Sequence, residues 1–189
     1  MIFDLSRSLR RLESERRRVR LRRRPEAALP FLSEKVSLGP ELLLDTCVYI
    51  DALEDRIPES VVRLLASRLF NHSGVAVSEL THPFGRLDPR DSRTAIALDR
   101  IATAISRIPE HRLSAPSIGV MGEAGILAGL VARLSDIDTA REQALLNDSM
   151  LYLQAVENGQ MVLTRNVREF DYFDQLFPCN RVLFYSRTT

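Results

Sequence analysis

The chain has 189 residues, 45% of them hydrophobic and 27% charged, which is the size of one domain with an appendage and the composition of an ordinary globular protein. No run of about 18 apolar residues occurs, so no membrane-spanning helix is expected, and two cysteines, Cys47 and Cys179, are too few for a disulfide framework or a thiolate zinc site. The net charge of +1 hides an asymmetry: residues 1–37 carry +6 (ten Arg and Lys35 against Asp4, Glu13, Glu15, Glu26 and Glu34), and the remainder carries −5.

A basic arm therefore precedes an acidic body. Residues 27–32, the apolar stretch after the arginines, are interrupted by Pro30 and too short for a signal-peptide core. The acids in the arm argue against a transit peptide, and a cytoplasmic location is expected. Arg outnumbers Lys 25 to one, a bias that gives any single Arg little weight.

In chain order, Phe3, Leu5, Leu9 and Leu12 are spaced for one face of a helix, and Arg16 to Arg24 holds seven Arg in nine residues. Pro25 and Pro30 break the arm, a short helical stretch follows from Phe31 to Val36, and Gly39-Pro40 marks the start of the main domain. The expected division is residues 1–38 as a basic, helical extension and 39–189 as the body. Leu42-Leu43-Leu44 reads as a buried parallel strand ending at Asp45, with a helix beginning at Thr46. Ser60 to Phe70 is amphipathic, and Val75 to Val77 reads as a second strand ending at Ser78-Glu79. Arg90 to Ile108, Ser117 to Leu134 and Ala140 to Asn158 read as helices, the last stopped by Asn158-Gly159. Met161 to Leu163, ending at Thr164, and Arg181 to Tyr185 supply two further strands. Strands separated by long helical segments imply parallel pairing, hence an α/β sheet covered on both faces.

In such sheets, sites form beyond the carboxyl ends of the strands. Asp45-Thr46, Ser78-Glu79 and Thr164-Arg165-Asn166 fall there, and Asp148 interrupts an otherwise apolar helix. Each has an ordinary explanation: Asp45 as a helix cap, Glu79 in a first helical turn, Asp148 in a salt bridge, Glu169 and Asp171 as solvated surface. Together, acids gathered without intervening cations point to a hard divalent ion held by oxygen ligands, Mg²⁺ or Mn²⁺.

The strings Leu-Leu-Asp-Thr-Cys-Val-Tyr-Ile-Asp-Ala-Leu (43–53), Val-Ala-Val-Ser-Glu-Leu (75–80), Leu-Leu-Asn-Asp-Ser-Met-Leu-Tyr-Leu-Gln-Ala (145–155) and Val-Leu-Thr-Arg-Asn-Val-Arg-Glu-Phe (162–170) resemble the PIN-domain nucleases. Within that family the likeness is to the VapC-type toxins of bacterial toxin–antitoxin pairs, and it covers residues 42–185. It implies a PIN-like three-layer α/β/α fold with a central, mostly parallel sheet, and an Mg²⁺- or Mn²⁺-dependent endoribonuclease. Asp45, Glu79 and Asp148 take the places of the main acids and Glu169 that of the fourth, with Asp171 two residues on as a competitor. Thr46, Thr164 and Asn166 take supporting places. The resemblance further implies an RNA substrate, an antitoxin partner and a homodimer. An RNA-processing nuclease without an antitoxin, and a catalytically silent fold used for binding, are the alternatives.

The arm has no counterpart in the compact members of that family, and three readings apply to it: a solvated helix, a clamp on RNA phosphates, or a segment docked on the acidic body, where an inserted Arg would compete with metal. His72, His82 and His111 have no ligand spacing, and Cys47 reads as core. Gly119 to Gly129 lacks the strand and the Lys-Ser/Thr of a phosphate loop, so close helix packing is expected there.

Overall fold

The computed structural model describes residues 3–33 and 38–187. Five parallel strands form one sheet: β1 (Leu42–Leu44), β2 (Phe70–Ser73), β3 (Leu113–Ser114), β4 (Met161–Thr164) and β5 (Val182–Phe184), in the order β3-β2-β1-β4-β5. The central strands β1 and β4 are apolar because both of their faces are covered. Alternation sends Leu43, Val162, Val182 and Phe184 to one face. There they pack with α6 (Ile118–Leu134), α7 (Glu142–Glu157) and α8 (Val167–Leu176). Leu42, Leu44, Leu163 and Leu183 point the other way, onto Val48 of α2 (Thr46–Leu53) and Val61 and Leu64 of α3 (Glu59–Ser67). Because β1 and β4 are neighbours in register, with Leu44 opposite Leu163, the residues that follow them, Asp45 and Thr164, meet at one edge.

Two expectations about the body are corrected. Val75 to Val77 is not a strand: it lies in α4 (Gly74–Arg86), capped by Ser73, whose side chain accepts from the Val75 N–H. The strand is the preceding, polar segment Phe70–Ser73. Its side chains are satisfied by specific partners: Asn71 donates to Glu41 Oε2 (2.7 Å), His72 meets the Tyr49 hydroxyl (2.5 Å), and Ser73 donates to Gln154 Oε1 (2.6 Å). Accordingly α3 stops at Ser67, short of the expected Phe70. The helix α5 (Ser92–Ser106) and the stop after α7 agree with expectation, the latter with Gly159 at φ +67°, a left-handed conformation that favours glycine. Neither β3 nor α8 was anticipated. The architecture shown is an α/β fold with a parallel five-stranded sheet; the PIN-like label attached to the expectation is not shown by it. Among the described residues, no helix is long and apolar enough to cross a membrane.

The arm is packed on the body. Its helix α1 (Leu5–Leu12), capped by Asp4, lies against α6: Ser8 and Arg11 donate to Glu123, and Leu12 is wholly buried. Phe3 sits so close to Gly122 that a side chain there would clash, so the expected tight packing of the glycine-rich helix holds at Gly122; a Cβ at Gly125 or Gly129 would meet open space. Arg11 also covers the Phe177 ring at 4.3 Å. Further on, Phe31 is not helical but forms a parallel bridge with Phe184, flanked by bonds from the Leu32 N–H to the Phe184 carbonyl (2.7 Å) and from the Phe184 N–H to the Pro30 carbonyl (2.9 Å). The arm thus covers the open edge of β5. The rest of the expected Phe31–Val36 helix, residues 34–36, lies outside the described residues.

Candidate functional site

Asp45 leaves β1 where a helix cap would sit, yet its side chain makes no capping bond. Its Oδ2 instead accepts from the Thr164 hydroxyl (2.5 Å), at the end of β4, and from the Cys47 thiol (3.0 Å). Thr164 Oγ1 also accepts the Asn166 N–H (2.8 Å), which fixes the turn out of β4. Asn166 in turn donates from Nδ2 to Asp148 Oδ2 (2.9 Å). Glu79 lies within α4 and accepts from the Thr46 hydroxyl at Oε2 (2.5 Å) and from Asn147 Nδ2 at Oε1 (2.7 Å). Glu169, in the first turn of α8, is 3% exposed. Its Oε1 is buried and accepts no hydrogen bond, although Arg141 Nη2 stands 3.2 Å away.

The electrostatics tie these four acids together. Burial raises the Asp148 carboxyl well above its ordinary value, and the charges of Asp45, Glu79 and Glu169 push in the same direction, opposed by Arg141. Asp45 is raised by burial and Glu79, against the Thr164 and Cys47 hydrogen bonds. Burial and the Asp45 charge hold Cys47 well above the usual thiol value, so it stays a protonated donor rather than a nucleophile.

Asp171 is not part of the cluster. It is fully buried and accepts from the Arg24 N–H (2.8 Å), Arg24 Nε (2.5 Å) and Gln175 Nε2 (3.0 Å), while Arg24 Nη2 reaches Asp174 (2.8 Å). The fourth acid at the edge is therefore Glu169. Arg165 also turns away, pairing from Nε with the buried Asp51 (2.8 Å), which accepts from the Tyr185 hydroxyl (2.8 Å) as well. Sequence reasoning missed Asn147 and Arg141. Asn147 had a signal, since it shares with Asp148 the polar break in an apolar helix; Arg141 had none.

Among the described residues, no three His, Cys, Asp or Glu side chains stand together in an arrangement that would hold a metal ion as they are. The donor chemistry nonetheless suits a hard cation: carboxylate oxygens, a buried Glu169 oxygen without a hydrogen bond, and mutual repulsion that a cation would relieve. Mg²⁺ binds through one or two carboxylates plus waters and phosphate, so a cage of three is not required.

No family model matches the chain, and no curated protein does. Solved structures do. VapBC2 from Rickettsia felis bound to a DNA fragment from their promoter matches at 20% identity over 77% of this chain and 98% of that one, with a TM-score of 0.50. FitAcB from Neisseria gonorrhoeae matches at 20% over 76% and 96%, with a TM-score of 0.52. FitAB bound to an IR36 DNA fragment gives 19%, 76%, 94% and 0.51.

At this identity the likeness shows the fold alone. The expected membership in the PIN-domain nucleases, of VapC type, is corrected accordingly: the four strings gain no family model, and the solved structures bring the names of VapBC2, FitAcB and FitAB complexes without that assignment. The physical reason is that polar residues at the carboxyl ends of strands are what any parallel sheet with a site offers. One of the strings, moreover, was read as a strand and is a helix.

Proposed function

We propose that the acidic edge is a metal-dependent phosphodiesterase site acting on RNA, in a protein that works as one component of a two-protein toxin–antitoxin pair. The observation that carries the first part is the buried Glu169 Oε1, which accepts no hydrogen bond, beside an Asp148 carboxyl raised by burial and by three neighbouring carboxylates. Such an arrangement opposes itself unless a proton or a cation joins it. The partner protein is supported by the neighbours, named as VapBC2, FitAcB and FitAB complexes.

Asp45 and Asp148 would hold the ion, Mg²⁺ or Mn²⁺, with Glu79 and Glu169 completing the charge around it. When bound, the ion supplies Lewis-acid polarisation of a phosphodiester and a lowered pKa for an attacking water. The protein's own part is positional. Thr164 and Cys47 orient Asp45, Asn166 orients Asp148, and Thr46 and Asn147 fix Glu79. Arg141 offsets the charge of Glu169 and, being exposed, would be available to a phosphate.

The test is cleavage of a labelled RNA oligonucleotide by wild type and Asp45→Asn, with Mg²⁺ or Mn²⁺ and with chelator. Cation-dependent cleavage that falls about 100-fold or more in the variant supports the reading, on the scale of losing one charge stabiliser. Full activity in Asp45→Asn removes it. A catalytically silent fold is the second reading, favoured by the hydrogen bonds that Asp45, Glu79 and Asp148 already accept; no Mn²⁺ binding by calorimetry would establish it.

A further inference from the structure

The arm divides its arginines between two directions. Arg17 donates to the Leu176 carbonyl (2.9 Å), Arg24 is held by Asp171 and Asp174, and Arg20 pairs with Asp136. Arg16, Arg18 and Arg22 are exposed, and among the described residues their side chains make no ion pair or hydrogen bond. From Arg17 to Arg24 the chain is not helical.

This run lies along the loop that joins α6 to α7. Arg133 donates to the Ser14 and Arg17 carbonyls (2.8 and 3.2 Å), and the Leu21 N–H bonds the Leu134 carbonyl (2.7 Å). On that loop Asp136 pairs with Arg20, and its carbonyl accepts from Arg168 (3.0 Å). The loop ends at Arg141, whose guanidinium is 3.2 Å from Glu169 at the carboxylate edge. The arm with its exposed arginines therefore adjoins the loop that leads to the candidate site. The acids beside it are partly spent: Glu13 faces Arg17, Asp136 faces Arg20 and Glu26 faces Arg23, leaving Glu15, Asp138 and Glu142.

We propose that the docked arm and the α6–α7 loop form a track that holds a single-stranded nucleic acid by its phosphodiester backbone and delivers it to the acidic edge. The delivery rests on the nuclease reading; the binding does not. Guanidinium groups suit phosphate oxygens geometrically as well as by charge. The chain has no Trp and the arm from Arg16 to Arg24 has no aromatic residue, so backbone charge rather than base stacking supplies the affinity. Pinning the arm through Arg17, Arg20 and Arg24 keeps the remaining charges together despite their mutual repulsion.

The test uses the full chain and a triple variant, Arg16→Gln, Arg18→Gln and Arg22→Gln, titrated against labelled single-stranded RNA and DNA oligonucleotides in chelator over a range of salt. Fluorescence anisotropy gives affinity, and a thermal melt shows that the variant is folded. Binding at low salt should weaken tenfold or more, and the slope of log K against log salt should flatten by about 2, at about 0.7 per phosphate contact on a single strand. RNA and DNA bound alike support pure backbone tracking, and a preference identifies the strand carried. Unchanged affinity and slope in the variant overturn the track. With Mg²⁺ or Mn²⁺ supplied in place of chelator, a wild type that binds through the arm yet cleaves nothing keeps the track and removes the nuclease reading; one that cleaves, with a triple variant that binds and cleaves equally well, does the reverse.

Discussion

The arm and the acidic edge treat the same chemistry in opposite ways. At the arm, two buried carboxylates, Asp171 and Asp174, meet the guanidinium of Arg24 with a backbone N–H added. At the edge, Asp148 feels the charges of Asp45, Glu79 and Glu169, and the exposed Arg141, 3.2 Å from Glu169, is the cation that opposes them. The first arrangement is complete within the chain and holds structure together. The second has more carboxyl groups than cations. Natural proteins keep such charge where a ligand relieves it, and otherwise pair it. Glu169 and Asp171 are two residues apart on α8 and fall on opposite sides of this divide, which separates the two roles within half a helical turn.

The sharpest way to break the comparison is at Arg24. Arg24→Ala leaves two buried carboxylates without their cation, and a cost of about 3 kcal/mol is expected in denaturant unfolding, the scale for removing one partner of a buried pair. An effect under about 0.5 kcal/mol would mean that the arm is only loosely laid on the body.

A smaller effect of opposite sign is expected at the edge. Asp148→Asn keeps an oxygen for Asn166 and removes one of four like charges, so the metal-free protein should gain on the order of 1 kcal/mol at neutral pH. The sign follows from the direction of the Asp148 shift, which is upward. A carboxyl raised in the folded state contributes stability that is present below its ordinary value of about 3.9 and lost as pH rises through the folded value. The variant's advantage should therefore disappear in acid and grow towards neutrality. A variant less stable than wild type at pH 7 would show that Asp148 is a paired structural acid.

Much of this contrast was legible in the sequence, and the parts that were not have identifiable causes. The strands β1, β4 and β5 announced themselves as apolar runs because both faces of each are buried. β2 did not, because Asn71, His72 and Ser73 are polar and are satisfied by Glu41, Tyr49 and Gln154, contacts with no local trace in the chain. Val75 to Val77 looked like a strand from its valines, but the Ser73 cap commits it to helix. Asp45 and Asp148 stood out as acids beside apolar runs. The choice between Glu169 and Asp171 lay beyond any local reading: it is made by Arg24, 147 residues earlier in the chain. The same holds for the arm, whose charge was plain but whose docking depends on Leu12, Leu29 and Phe31 packing with the core of the body.

The smallest predicted effect tests the division inside the arm itself. Arg16, Arg18 and Arg22 are exposed and unpaired among the described residues, and surface substitutions of that kind usually change stability by no more than about 0.5 kcal/mol. Replacing each singly with Gln should leave the unfolding midpoint where it was, while Arg24→Ala in the same nine-residue stretch shifts it strongly. If single Gln variants instead destabilise by 1 kcal/mol or more, these side chains are holding the arm down, and the split between pinned and displayed arginines fails. If they stabilise, the crowding of seven Arg between Arg16 and Arg24 is a measurable cost in the free protein. Such a cost is expected of charge kept for a polyanion rather than for the fold.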